Sequence, residues 1–301
     1  RDRSIIVNEL NHRFFNEVII DGNKVTKRCI DPRYEDVHSK EKLWYNAVSD
    51  RLENIPKIYS YDPLTMGRIG GEHLWNLKEN KEQLINNFCD ALDSLHSIAE
   101  VNPNTDDMID VYLKKTKSRV EEVRSLIRDI DEPMVKINSR MCINPLCDEE
   151  YFEEHIKKIS NIDKFNIIHG DNTFSNTIAD ENSKIWFIDP RGVFGSTPIY
   201  GDRRYDYAKL YYSAYGNYDS INSKDYRIKL DRRNVDLEIK SNGYEEFADL
   251  IIKRSGVPKA EIQLIHACIW FALTGYVKED YDAVLFAFYK GCQLWTEAVS
   301  D

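Results

Sequence analysis

The sequence predicts an α+β protein, a small sheet-rich lobe at residues 1–69 followed by a larger, mainly helical lobe at 70–301. Three observations carry this. Before about residue 75 the apolar residues fall in short strand-like runs, at 4–7, 14–20 and 24–30. Beyond Gly71 they recur at helical spacing, as in Leu84, Ile85, Phe88, Leu92, Leu95 and Ile98. Within the helical part stands one exception, NIIHGDNTFSNTIADENSKIWFIDPRG at 166–192, where polar groups sit between strand-like flanks.

Taken in order, runs 14–20 and 24–30 are joined by Asp21-Gly22-Asn23, a hairpin signal. One helix is predicted near 37–49, then strands at 57–61 and 65–69, and Gly70-Gly71 breaks the pattern. Asn80 with Gln83 reads as a capping box opening the next helix. Further helices are predicted at about 106–130, 148–160, 207–215, 243–255, 258–275 and 281–298. Residues 226–230 and 235–239 alternate around 231–234, a hairpin among the helices. No internal repeat is visible.

Composition excludes several classes. A chain of 301 residues, 42% hydrophobic and 31% charged, can bury a substantial core. Net charge of −10 argues against a phosphate-binding surface for nucleic acid. The longest apolar-rich run, 262–273, is too short to span a bilayer. Cys29, Cys89, Cys142, Cys147, Cys268 and Cys292 are spread thinly and complete no zinc pattern; they read as reduced thiols of a cytoplasmic protein. No signal peptide opens the chain. It begins with Arg1 rather than Met, so it is expected to be cut from a longer protein, with room for a fused domain upstream.

The exceptional stretch reads His169-Gly170-Asp171-x-x-x-x-Asn176, a turn at 180–183, and then Asp189. Each residue alone fits a structural turn; all four at this spacing, around a hairpin, favour a shared site. The pattern resembles the catalytic loop of protein kinases with Gly in place of Arg, followed by Asp-Pro-Arg-Gly as a variant of Asp-Phe-Gly. In its His-Gly-Asp form, and in Gly201-Asp202-x-x-Tyr205-Asp206-x-Ala208, it is similar to the aminoglycoside phosphotransferase and choline kinase branch of the kinase-like superfamily. The resemblance implies a two-lobed protein-kinase-like fold and transfer of the ATP (or GTP) γ-phosphate to a hydroxyl of a small metabolite, with Mg²⁺ as cofactor.

The chemistry fits these residues. Phosphoryl transfer needs a group to take the acceptor proton and metal ions to neutralise the phosphates. Asp171 is the candidate base. Asn176 and Asp189 are the candidate Mg²⁺ ligands, since that ion takes few protein oxygens and keeps waters. On the predicted strand at 24–30, Lys27 shares a face with Val25 and Cys29, as a lysine reaching toward phosphates would, or as a snorkelling surface lysine does. On the helix near 37–49, Glu41 lies on the stripe of Val37, Trp44 and Val48, and is a better partner for Lys27 than Glu35. The loop at 9–16 contains no glycine, unlike the phosphate-covering loop of protein kinases, and Asn11, His12 and Arg13 are its polar candidates.

By resemblance, His169 braces the catalytic loop, Asp206 accepts hydrogen bonds from that loop's backbone, and backbone groups at Gly67, Arg68 and Ile69 meet the purine edge. Arg191, Arg203 and Arg204 flank the expected acceptor side, to bind a carboxylate or phosphate on the substrate or to pair with surface acids. The run Tyr211-Tyr212-x-x-Tyr215-x-x-Tyr218, Tyr212 above all, reads as a sugar wall, a cation cage or simply core. The downstream motif looks most like bacterial kinase-like proteins of surface-glycan biosynthesis, which implies a sugar or sugar-alcohol acceptor. Choline, ethanolamine or an aminoglycoside is the nearest alternative. A nucleotide-binding pseudokinase is the alternative of another class.

Overall fold

The computed structural model describes residues 16–300. The strand expected at 4–7, the start of the one at 14–20, and Asn11, His12 and Arg13 lie outside the described residues. A four-stranded antiparallel sheet opens the structure: β1 (Asn16–Asp21), β2 (Lys24–Cys29), β3 (Ile58–Tyr61) and β4 (Leu64–Gly67), in the order β1-β2-β4-β3. Gly22 at φ +58° turns the β1–β2 hairpin. Helix α1 (Glu35–Val48) follows β2 and buries His38, Glu41, Trp44, Tyr45 and Val48. That stripe is why the segment is helical: it is the face the segment has to cover.

After β4, Gly71 lets the chain pass against β10 (Thr177–Ala179). At φ +144° a Cβ there would stand 2.2 Å from the Ala179 carbonyl oxygen, so only glycine fits. The short β5 (Glu72–His73) then pairs with β10, Glu72 opposite Ala179. Next come α2 (Lys81–His96), β6 (Glu100–Val101) and α3 (Thr105–Ile109), which runs through a π-helical turn, Asp110–Lys114, into α4 (Lys115–Glu121). A hairpin, β7 (Met134–Ile137) and β8 (Arg140–Ile143), precedes α5 (Glu149–Ile159) and β9 (Phe165–Ile167). Then follow β10, β11 (Ile185–Phe187), the small strands β12 (Val193–Phe194), β13 (Thr197–Pro198) and β14 (Tyr200–Gly201), and α6 (Arg203–Ala214). The chain closes with α7 (Asp219–Asn222), β15 (Tyr226–Leu230), β16 (Val235–Ile239), α8 (Ala248–Ser255), α9 (Lys259–Tyr276) and α10 (Tyr281–Ser300).

The expected α+β layout, a small antiparallel sheet followed by a larger helical part, is present. One continuous core runs from Trp44, Leu64 and Met66 through Phe88, Ile167 and Phe187 to Trp270 and Trp295. No described helix is long and apolar enough to cross a membrane.

Four local expectations are corrected. The helix at 106–130 stops at Glu121; Val123, Ile127 and Ile130 are buried at helical spacing, but across a 3₁₀ turn and loop. Short apolar periodicity does not separate these cases. The β7–β8 hairpin was not expected: its turn, Asn138-Ser139 at φ +45° and +67°, lacks the glycine that marks such turns. This hairpin joins β15–β16 in one sheet through the parallel contact of Val235 with Ile137. Asn80 adopts φ +56° and makes no side-chain cap, so the capping box does not form. Helix α6 begins at Arg203 rather than 207, because the Asp202 side chain caps it by accepting from the Arg204 amide.

Candidate active site

The segment at 168–176 leaves the buried strand β9, which is held on both sides by β14 and β6. Asp206, in the first turn of α6, accepts from the amides of His169 (2.9 Å) and Gly170 (2.8 Å), and His96 Nε2 lies 3.0 Å from the same carboxylate. The loop is thus pinned by its backbone to a fully buried anion. Gly170 stands at φ +78° with Arg191 Cβ 3.1 Å from where its own Cβ would be, so an arginine here, as in the protein-kinase pattern, would be strained by the backbone and crowded by Arg191.

His169 has both ring nitrogens occupied. Nδ1 accepts from the Asp171 amide at 3.2 Å, which makes Nε2 the protonated nitrogen, donating to the Ile188 carbonyl at 3.0 Å. Burial lowers the pKa of the imidazole and outweighs the nearby Asp206 and Asp171, so it stays neutral. It ties the loop to the end of β11 and leaves no nitrogen for a substrate proton.

Asn176 and Asp189 lie at the open end of the β10–β11 hairpin, one on the continuation of each strand. Thr177 pairs with Phe187, and the next bond outward runs from the Ile188 amide to the Asn176 carbonyl at 3.1 Å. The Asn176 side-chain nitrogen donates to the Asp171 carbonyl at 2.7 Å, which fixes its amide and leaves the oxygen as the donor atom for a cation. Asp189 holds φ +56°, a left-handed conformation that Asp tolerates better than most residues. Among the described residues no three His, Cys, Asp or Glu side chains converge as a metal site. An amide oxygen plus one carboxylate suits Mg²⁺, which needs hard oxygens and retains waters, and not zinc.

Lys27, buried on β2, donates to Glu41 Oε1 at 2.8 Å and forms an ion pair with Asp189. The α1 helix that carries Glu41 is bolted to the loop: Trp44 Nε1 donates to the Ile168 carbonyl at 2.7 Å. The segment after α1 also grips β11, with Asn54 bonded to the backbone of Ile185 and Phe187. Glu35 lies instead within 3.7 Å of Lys42.

Asp171 lies between two cations, Lys209 Nζ at 3.0 Å from Oδ1 and Arg191 Nε at 3.5 Å from Oδ2. Lys209 is the residue that sequence reasoning missed. Its signal was faint but present: three residues after Asp206 on one helix, it is a lone lysine among Tyr, Ala and Leu. Burial opposes its charge, yet Asp171 and the phenols of Tyr205 and Tyr218 raise its pKa above the ordinary value.

Expectations for two arginines and for the purine edge change here, and Tyr212 takes the core alternative. Arg204 is buried and spent on Asp202, on Glu261 at 2.6 Å and on the Ile159 carbonyl at 2.6 Å, so it cannot meet a substrate. Arg203 donates to the Ser255 carbonyl at 3.1 Å, on the α8 side of α6. Both arginines are thus engaged with partners other than Asp171. Tyr212 is buried, stacked on Tyr218 with centroids 4.2 Å apart and edge-on to Trp270 at 5.0 Å; it is core, with the Lys209 ammonium 5.1 Å from its ring. At the proposed purine edge, the amides of Gly67 and Arg68 already donate to Lys57 O (2.8 Å) and Asn23 O (2.7 Å), so of the three positions only Ile69 keeps its amide out of these bonds.

No protein-family model matches this sequence, and no curated protein is significantly similar to it. Among solved structures, the fold is similar to the choline kinase LicA from Streptococcus pneumoniae, at TM-score 0.49 and 12% identity, covering 98% of this chain and 91% of that one. It is similar to a choline/ethanolamine kinase family protein from Mesorhizobium loti, at TM-score 0.48 and 13% identity, covering 95% and 88%. A spectinomycin phosphotransferase in complex with ADP and spectinomycin follows at TM-score 0.45 and 10% identity, covering 94% and 88%. At these scores the likeness is one of layout, and the roles of individual residues are argued from the geometry above.

Proposed function

We propose that this protein is a small-molecule kinase that moves the γ-phosphate of ATP to a hydroxyl group, with residues 1–69 and 70–301 as its two lobes. The observation that carries the reading is the convergence, at one hairpin end, of Asp171, Asn176, Asp189 and the Lys27–Glu41 pair. Nothing in the packing of a hairpin needs a buried lysine between two carboxylates, whereas a polyphosphate does.

Asn176 and Asp189 would hold Mg²⁺, which when bound neutralises phosphate charge and orients the transferred group. Lys27, steered by Glu41, binds phosphate oxygens. The purine lies against the strand end near Ile69. The acceptor oxygen attacks the γ-phosphorus, the bond to the β–γ bridging oxygen breaks, and ADP leaves with that oxygen. The hydroxyl proton passes to Asp171, because both nitrogens of His169 are engaged. Trp44 and Asp206 position the loop and touch no reactant.

The test is calorimetry of the protein with ATP, with and without Mg²⁺, followed by phosphoryl transfer over a panel of sugars, polyols and amino alcohols. Mg²⁺-dependent binding and one productive hydroxyl acceptor are expected. Absence of nucleotide binding removes the reading, and binding without transfer to any acceptor favours a nucleotide-binding pseudokinase.

A further inference from the structure

The acceptor end of the cleft holds more positive charge than its carboxylate balances. Lys209 and Arg191 both face Asp171, at 3.0 and 3.5 Å. Their other near neighbours are phenols: Tyr205 and Tyr218 beside Lys209, Tyr205 and Tyr276 beside Arg191. The Tyr218 phenol is pushed up to about 12 by burial and by Asp171, so it adds no charge near neutrality. Around Asp171 two cations face one carboxylate, and like charges in a partly dry cleft repel strongly; the buried Asp219, near Tyr212 and Tyr218, is engaged by Ser175 and has its pKa raised by burial.

The aromatic faces point the same way. An ammonium substrate is held by open ring faces. Here the Lys209 ammonium stands over Tyr212 at 5.1 Å and over Tyr205 at 5.8 Å, so the chain's own cation occupies that cage. Arg191 keeps 36% of its side chain exposed and offers a planar fork suited to a carboxylate or phosphate, while Lys209, 13% exposed, lies deeper. The chain's net charge of −10 does not cancel this, since fields beyond about 8 Å are screened at physiological ionic strength.

Resting on the phosphotransferase reading above, we propose that the acceptor is a hydroxyl compound bearing its own anionic group, a carboxylate or phosphate, and that Arg191 and Lys209 are the specificity-determining residues that select it over ammonium-bearing alcohols. The anion meets Arg191 at the mouth and Lys209 beneath, which brings a neighbouring hydroxyl beside Asp171.

The test uses probes that differ in charge on one scaffold: glucuronate, glucose and glucosamine, with gluconate and glycerol 3-phosphate as further acids and choline as a further cation. Binding is measured by calorimetry with saturating Mg²⁺ and a non-hydrolysable ATP analogue, and transfer is measured in parallel with ATP. Acids are expected to bind at least about tenfold more tightly than glucosamine or choline. Arg191→Gln and Lys209→Met should each raise the Kd or KM for the acid by roughly tenfold, and Lys209→Arg should restore part of it. Arg191→Gln alters a partly exposed side chain, so it remains decisive if Lys209→Met fails to fold. Preference for glucosamine or choline overturns the proposal, as does absence of saturable binding by every acid. A uniform fall in kcat across acceptors in Lys209→Met, with KM unmoved, would assign the cations to the transferred phosphoryl group and also overturn it. Acid binding that is lost in the variants, with no transfer in the wild type, supports the anion site and removes the phosphotransferase reading instead.

Discussion

The two ends of the candidate site are electrostatic opposites. At the nucleotide end one cation lies between two carboxylates, Glu41–Lys27–Asp189; at the acceptor end one carboxylate lies between two cations, Arg191 and Lys209 around Asp171. The first has a negative charge in excess and suits an arriving metal ion. The second has a positive charge in excess and suits an arriving anion. Between them runs a stiff backbone bridge, the 168–176 loop with His169 tied to Ile188. Lysine and aspartate at both ends thus stand in two different surroundings, and the difference lies in how many charges of each sign the fold brings together.

The largest expected effect breaks the acceptor end alone. Asp171→Asn keeps the shape and cannot take a proton, so phosphoryl transfer at saturating Mg²⁺-ATP should fall by roughly two to four orders of magnitude with ATP affinity nearly intact. Near-wild-type turnover in a folded Asp171→Asn protein would remove Asp171 from the mechanism. Next, Asp189→Ala breaks the nucleotide end: the Mg²⁺-dependent part of ATP affinity should drop at least about tenfold. Calorimetry showing unchanged Mg²⁺-ATP affinity in the folded variant would cancel its metal role.

A smaller effect sharpens the nucleotide end. Lys27→Ala should weaken nucleotide binding and Glu41→Gln should do so partially, with a coupling of about 0.5–3 kcal/mol in a double-mutant cycle. Strict additivity would mean that the 2.8 Å contact does not steer Lys27 onto the nucleotide. The smallest effect concerns the bolt between α1 and the loop. Trp44→Phe removes the donor to the Ile168 carbonyl and should cost about 1–2 kcal/mol, because a buried acceptor loses its partner. Thermal unfolding measures it, and an unchanged midpoint would show that the bond adds nothing.

Much of the nucleotide end is legible in the sequence because its clues are local. Strand alternation places Lys27 with Val25 and Cys29, and helical spacing places Glu41 with Trp44; the two side chains do meet. The 180–183 turn likewise sets Asn176 and Asp189 at one hairpin end. The acceptor end was less legible. Arg191, Arg203 and Arg204 look equivalent as sequence, yet one faces Asp171 and two are engaged elsewhere. The Asp202 cap starts α6 four residues before the apolar pattern suggests, so both arginines lie in its first turn, against partners on α8 and α5 that only the packed structure supplies.

By itself the sequence determined which side chains share a face in β2 and α1, since pleat and helix periods act over a few residues. It also determined the β1–β2 turn, where Gly22 takes the left-handed backbone, and the spacing of the polar set from His169 to Asp189. Only the tertiary structure decided which charges share a pocket. Lys27 and Asp189 are separated by 162 positions and Lys209 and Asp171 by 38, and no local period relates them. Their meeting depends on how α1, α6 and the β10–β11 hairpin pack on a common core. Packing likewise decided that β7–β8 joins β15–β16 through Ile137 and Val235, because two hairpins about a hundred residues apart meet only when their buried faces pack together.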